Sequence, residues 1–329
     1  MLSNPQGLLF IGDPHLSSVR PGRRLDNDFA GTVLDALDQS LTLAREHQWQ
    51  PIILGDLFDR APDNGLSMLS RLFWLLRRHL QKDGLLPWCL VGNHDLRDGL
   101  LGDDTALGCV RASGLLRVLE TREAPEPVHL PGLAWVLPLS YASSIDTLAP
   151  MATLCKQQEN LPVIALTHQD LAFPGMYPQA QPLISIPGVD LVVNGHMHKP
   201  QPWVRKENTL WCNPGNITRM SIDCEEQEPA VWSWPAKKEG LERHVLRHEK
   251  KIFDRTGMRT QPDEGALREA LATPAGIPES QFSDLLKQQD FGAMTEDAAI
   301  LQEELEAVLQ ERKVDPVVSE ILRQMALGL

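Results

Sequence analysis

The chain has 329 residues, is 42% hydrophobic and carries a formal net charge of −13. Its apolar content is sufficient for a full-sized core, which excludes disorder as the default, and no run approaches the roughly 18 uninterrupted apolar residues of a membrane span. The charge is uneven: residues 260–329 hold 14 Asp or Glu against 5 Lys or Arg, a net of −9, so the first 259 residues carry the remaining −4. An acidic tail cannot grip a phosphate backbone, because nucleic-acid affinity comes largely from Lys and Arg. Any such grip must be a local basic surface or a partner.

Taken in chain order, the first 200 residues alternate short apolar runs with amphipathic stretches, the pattern of βαβ units around a buried sheet. Leu8-Leu9-Phe10-Ile11 runs into Gly12-Asp13-Pro14-His15, and a helix is predicted from about Asp28 to His47 on the spacing of Val33, Leu34, Leu37, Leu41 and Ala44. Ile52-Ile53-Leu54 leads to Gly55-Asp56-Leu57-Phe58-Asp59, and a helix over about Leu66 to Leu80 precedes Trp88-Cys89-Leu90-Val91 and Gly92-Asn93-His94-Asp95. Val163-Ile164-Ala165-Leu166 meets Thr167-His168, and Leu191-Val192-Val193 meets Asn194-Gly195-His196-Met197-His198. From Trp203 to about His248 the pattern changes to strands and turns, read as the second half of a β-sandwich. Beyond Pro262 it turns helical, with Thr295 a candidate N-cap and Ile300, Leu301, Leu305, Val308 and Leu309 on one apolar stripe; Pro316 opens a last short helix.

Five predicted strands thus end in a turn carrying Asp, Asn or His, and ligand sites in open α/β sheets assemble at such carboxyl ends. Individually each motif has a bland reading. Asp13 and His15 are two apart at a strand end, where extended spacing points both side chains the same way. Gly-Asp is commonly only a turn, and a lone His168 is commonly a hydrogen-bonded core residue. Two imidazoles two apart behind Gly195 are a stronger signal. Jointly, five strand ends that each supply a metal-competent atom point to a metal site. The five cysteines (Cys89, Cys109, Cys155, Cys212, Cys224) are scattered and never paired as CxxC. They read as reduced thiols, and with no signal-like pattern in Met1-Leu2-Ser3-Asn4-Pro5 a cytoplasmic location is expected.

These motifs, in this order, resemble the calcineurin-like metallophosphoesterases over about residues 8 to 220. Gly55-Asp56-Leu57-Phe58-Asp59-Arg60, Gly92-Asn93-His94-Asp95 and Gly195-His196-Met197-His198-Lys199-Pro200-Gln201 look most like the SbcD-type nuclease subunits of DNA repair complexes. The resemblance implies an α/β fold, a four-layer β-sandwich flanked by helices, over residues 1–255, followed by an acidic helical C-terminal region, 256–329, that docks a partner. It further implies that Asp13, His15 and His198 hold one divalent metal, that Asn93, His168 and His196 hold a second, and that Asp56 bridges them. His94 would be the general acid, its ring oriented by Asp95 or Asp59. A donor set of oxygen and nitrogen without thiolate favours Mn²⁺, with Fe or Zn as alternatives. One departure stands out: where such nucleases carry a Gly-Ser segment, this chain has Asn213-Pro214-Gly215-Asn216-Ile217-Thr218-Arg219.

The substrate expected from the resemblance is DNA, cleaved by a nuclease subunit working with an SbcC-like coiled-coil ATPase held through the C-terminal helices; homodimerisation fits the same organisation, and no membrane association is expected. Arg20, Arg23 and Arg24 would hold the phosphate backbone with guanidinium forks, the bland reading being a solvated loop. Trp211, Trp232 and Trp234 lie in strand-like runs and read as packing rather than base-stacking platforms. The alternative is a small-molecule phosphodiesterase or phosphatase acting on cyclic nucleotides or nucleotides. A third reading is a mainly structural subunit.

Overall fold

A computed structural model describes residues 5–256, apart from 63, 122, 175–179 and 237–239. The C-terminal helices expected over 295–312 and after Pro316 lie outside the described residues, as does the rest of the acidic region past 256.

Among the described residues, twelve strands form two six-stranded sheets. The first contains β1 (Gly7–Ile11), β2 (Gln50–Ile53), β3 (Trp88–Leu90), β4 (Arg117–Leu119), β11 (Ala230–Pro235) and β12 (Glu242–Val245), in the order β12-β11-β1-β2-β3-β4. The second contains β5 (Val128–Leu130), β6 (Ala134–Leu139), β7 (Val163–Thr167), β8 (Leu191–Asn194), β9 (Gln201–Lys206) and β10 (Thr209–Asn213), in the order β5-β6-β7-β8-β10-β9. Strands β1 to β4 pair in parallel, as do β6, β7, β8 and β10, so both sheets present a row of carboxyl ends.

Near-continuous apolar strands follow from burial on both faces. In the first sheet Leu8, Phe10, Ile52, Leu54, Trp88 and Leu90 point between the sheets, where they meet Val136, Ile164, Leu166 and Val193 of the second. Their alternates Leu9, Ile11, Ile53 and Cys89 face outward onto α1 (Phe29–Glu46) and α2 (Leu66–Asp83). The outer face of the second sheet, including Leu137, Val163, Ala165 and Val192, packs on α4 (Leu148–Gln158) through Leu148, Ala152 and Cys155. The layers therefore run helix, sheet, sheet, helix. Trp211 is wholly buried in this outer core and donates its indole N–H to the Ile184 carbonyl at 2.8 Å, a packing role.

The helices start and stop for local reasons. Asp28 caps α1 by accepting from the Gly31 N–H, and the buried stripe Val33, Leu34, Leu37, Leu41 and Ala44 faces the sheet. Helix α2 ends at Gly84, which takes φ +63° and donates its N–H to the Leu80 carbonyl. A shorter helix, α3 (Ala106–Ser113), is capped by the Thr105 hydroxyl, which accepts from Gly108 N–H. Among the described residues no helix is long and apolar enough to cross a membrane.

Candidate metal centre

Asp13 and His15 follow β1, Asp56 follows β2, Asn93 and His94 follow β3, His168 follows β7, and His196 and His198 follow β8. The backbone stitches these loops together. His15 and Leu16 donate N–H groups to the carbonyls of Asp56 and Leu57 at 3.0 and 2.9 Å, and Gly195 donates to Thr167 at 2.8 Å. The loop after β10 braces them from behind: Asn216 N–H reaches the His198 carbonyl, Ile217 N–H the Gly12 carbonyl, and the Thr218 hydroxyl the Pro14 carbonyl. Within the same loop, Asn213 Nδ2 donates to the Met197 carbonyl and serves the same scaffold.

The expectation that extended spacing aligns Asp13 and His15 is corrected. Both are left-handed, with φ of 25° and 48°, as are Asp56 at 46° and His196 at 69°. Left-handed non-glycine residues cost of order 1–3 kcal/mol each and gather where the surroundings enforce a functional geometry. Four of them in one cluster turn side chains inward that a strand would alternate. Gly92 matters for its missing side chain, because a Cβ there would collide with the Asp56 carboxylate and its backbone nitrogen; only glycine lets the third loop close on the second.

Two groups of three side chains bring ligand atoms within 4.8 Å of one another: His15, Asp56 and His94, and Asp56, His168 and His196. Asp56 belongs to both. Its Oδ1 accepts the His94 backbone N–H at 2.9 Å, while Oδ2 stands 3.2 Å from His168 Nε2 and 3.7 Å from His15 Nε2. His168 Nδ1 lies 2.8 Å from the Leu54 carbonyl and must carry the proton, which turns Nε2 to the centre, 3.1 Å from Asn93 Oδ1. The same logic holds for His196: Nε2 meets Asp170 Oδ1 at 3.1 Å, which leaves Nδ1 3.0 Å from Asn93 Oδ1. His198 Nε2 faces His15 Nε2 at 2.8 Å.

Asp13 decides the fit to cations. It is fully buried, its nearest ionic neighbour is His168 Nδ1 at 3.7 Å, and neither of its oxygens has a hydrogen-bond partner. A buried carboxylate without partners is costly unless it is paired or coordinates a metal. Together with two imidazole nitrogens aimed at each other and a carboxylate between two imidazole groups, the donor set fits a pair of divalent cations. His94 belongs to the first group by distance, and its Nδ1 is committed 2.7 Å from the Asp59 carbonyl.

Charge is strongly coupled here. Burial alone would raise Asp56, but His168 and then His15 and His94 outweigh it and hold the carboxyl well below the usual range. Burial raises Asp13, partly countered by His168. Burial opposes protonation of His168, yet Asp56 and Asp13 raise it to about 9. Burial and the charge of His15 lower His198 to about 4. Burial, with Asp56 nearby, pushes Asp95 up to about 7.

Two expectations about individual side chains, those for Asp95 and Arg24, are corrected. Asp95 does not orient the His94 ring: it is fully buried and accepts backbone N–H groups from Gly92 at 3.0 Å and Phe58 at 3.4 Å, clamping two loops together. The Asp59 contact to His94 comes from its backbone carbonyl, while its carboxylate stands 3.6 Å from His15 Nδ1. Arg24 is not a free fork. It is 2% exposed, pairs through Nε and Nη2 with Asp26 at 2.6 and 2.8 Å, donates Nη1 to the Arg219 carbonyl, and lies between the Phe29 and Phe253 rings. Asp26, two residues on, captures it before any ligand can. Arg23 is exposed but donates to the Asp254 and Thr256 carbonyls, and exposed Arg20 donates to the Asp26 carbonyl.

Two residues beside the centre were not singled out from sequence. Asp170 partners His196, and its position two residues after His168 was an available signal. Tyr141 follows β6, a further strand end, with its ring centroid 5.7 Å from His196 and 6.3 Å from His168. The apolar run Ala134–Leu139 just before it carried the same signal as the other five.

A centre of this kind, built from carboxylate, amide and imidazole donors where two parallel strand rows end, defines a candidate metal-binding α/β protein. The sequence profile of the calcineurin-like phosphoesterases matches residues 8–200, more than half of the chain, and the chain belongs to that family of metal-dependent phosphoester hydrolases. No curated protein sequence matches it significantly. Similar solved structures include a 5′-nucleotidase-type protein of Staphylococcus aureus (14% identity, 80% of this chain and 57% of that one, TM-score 0.45). A 5′-nucleotidase precursor of Thermus thermophilus is 14% identical over 86% of this chain and 60% of that one, with a TM-score of 0.41. A dimetal phosphatase of Danio rerio is 10% identical over 74% of this chain and 96% of that one, with a TM-score of 0.46. The chain thus spans less than two thirds of the length of either nucleotidase.

Proposed function

We propose that the chain is a dinuclear-metal phosphodiesterase that cleaves DNA, acting in the cytoplasm as the nuclease subunit of an assembly with a coiled-coil ATPase. The observation that carries the dinuclear reading is the Asp56 Oδ2 position, 3.2 Å from His168 on one side and 3.7 Å from His15 on the other. In this reading Asp13, His15 and His198 hold one cation, Asn93, His168 and His196 the other, and Asp56 both. Two cations held by these residues would supply charge stabilisation for the displacement at a phosphate ester. Mn²⁺ suits the donors best, with Fe or Zn as alternatives.

The protein's own groups then set the orientation and the proton. The Leu54 carbonyl and the Asp170 carboxylate fix which ring nitrogens of His168 and His196 turn to the centre. His94 is the general acid: with Nδ1–H donated to the Asp59 carbonyl, Nε2 is left to carry a proton to the leaving oxygen. Its backbone N–H on Asp56 ties its position to the bridging carboxylate.

The nuclease assignment draws on the motif forms Gly55–Arg60 and Gly92–Asp95, which look like those of repair nucleases. The second reading, a nucleotide or cyclic-nucleotide phosphodiesterase, is favoured by one observation: the arginine loop offers little grip for a backbone once Arg24 is buried. The discriminating experiment reconstitutes chelator-stripped protein with Mn²⁺ and compares linear DNA with cyclic nucleotides. Cleavage of DNA that weakens steeply with salt supports the first reading. Efficient hydrolysis of cyclic nucleotides with DNA left intact installs the second.

A further inference from the structure

We propose that Tyr141 is a specificity-determining residue whose ring packs against the base, or another aromatic group, of the ester on the His168–His196 side of the centre. The proposal rests on the phosphoesterase reading of that centre. The ring is half-buried, tilted 41° to His196 at 5.7 Å and nearly perpendicular to His168 at 6.3 Å. A phosphate ester bound at the cation that those two imidazoles would hold would have this aromatic ring beside it, within reach of its organic group.

The mounting of this residue suits recognition. Strand β6 runs parallel to β7 and ends at the same edge, and the Tyr141 N–H crosses to the Val91 carbonyl of the other sheet at 3.1 Å, one residue before the Gly92–Asp95 turn. The loop closes with Ser143 N–H on the Ser140 carbonyl, and Gln169, next to His168, holds the carbonyls of Ser140 and Ser143 through Nε2 at 3.0 and 3.3 Å. Ala142 takes φ +63° to complete the turn. A ring on a backbone pinned from three sides loses little freedom when a ligand stacks on it, which favours aromatic recognition independent of hydrogen-bond readout.

The test uses full-length Mn²⁺-loaded protein, its Tyr141→Ala and Tyr141→Phe variants, and two probes, deoxyadenosine monophosphate and inorganic phosphate. Dissociation constants are read by calorimetry and metal content by elemental analysis. Tyr141→Ala is expected to weaken nucleotide binding roughly 5- to 100-fold, the worth of one stacked base. Inorganic phosphate should stay within about twofold, metal content should be unchanged, and Tyr141→Phe should bind as wild type does. Wild-type nucleotide affinity in Tyr141→Ala overturns the proposal, as does equal weakening of both probes or loss of metal, since either marks a scaffold residue. Weakening in Tyr141→Phe to the level of the alanine variant also overturns it, because the hydroxyl would then be the contact. Wild-type protein that binds metal but neither probe removes the phosphoesterase reading itself, and Tyr141 with it.

Discussion

Asp56 and His94 sit one hydrogen bond apart, yet their loss should have opposite signatures. Asp56→Asn removes the one carboxylate shared by both imidazole groups, so it should reduce bound metal from two ions per chain to none by elemental analysis. Two retained metals would mean that the ligand assignment is wrong. His94→Ala should keep both metals and lose roughly 10²–10⁴-fold in rate on poor leaving groups. Nitrophenyl esters should be largely spared, because their leaving group needs no proton; equal loss on both substrates argues against His94 as the acid. The pH dependence follows from His168. Its pKa is raised to about 9, so at neutral pH the metal-free protein holds it protonated, whereas a ligand imidazole must be neutral. Metal binding should therefore release protons, and affinity should climb with pH until about 9 and then level off. Competition with a fluorescent chelator across pH 6–10 measures this, and a flat profile contradicts it. Arg24 belongs at this scale too. Removing one partner of its buried pair with Asp26 should cost roughly 3–5 kcal/mol in urea unfolding, whereas Arg20→Ala should change stability little.

At the scale of elements, the centre depends on loops that pack without gaps. The Gly92 turn presses against Asp56, and Asp95, by taking the Gly92 and Phe58 N–H groups, locks the β3 loop to the β2 loop. Gly92→Ala should force those loops apart, cost roughly 1–3 kcal/mol of stability as overpacking does, and lower metal content more than it lowers helix content. Circular dichroism and elemental analysis on the same sample would separate the two effects; metal content equal to wild type would mean that the loops can yield. Helices α1 and α2 take no direct part. Their buried stripes hold β1, β2 and β3 in register, so that the strand ends, and not the helices, decide where the donors fall.

At the scale of the molecule, the catalytic unit and the acidic region past residue 256 divide the proposed labour. Removing the residues after about Pro274 should leave Mn²⁺-dependent phosphoesterase activity intact and abolish assembly with the ATPase. Misfolding or loss of metals in the truncated protein would instead make that region part of the core. Of the net charge of −13, −9 lies after residue 259, away in sequence from every donor of the centre, so the first 259 residues carry only −4.

The strands before the five motifs, both long helices and the placement of Asp13, His15, Asp56, Asn93, His168, His196 and His198 after strand ends were legible in the sequence. Burial on both faces imposes continuous apolar runs, and ligand chemistry restricts which side chains can follow them. The stretch from Arg97 to Pro162 was less legible, because three-residue strands such as β4 and β5 carry too few positions for a period to register. What the tertiary structure alone decided was the use of each side chain. Arg24 faces Asp26 instead of solvent, Asp95 serves backbone amides, and Asp59 offers His94 a carbonyl. Tyr141 comes to His196 across 55 residues of sequence. Such choices are settled by which groups the fold brings within about 3 Å of one another, and around the centre that depends on left-handed turns at Asp13, His15, Asp56 and His196 that no spacing rule in the chain records.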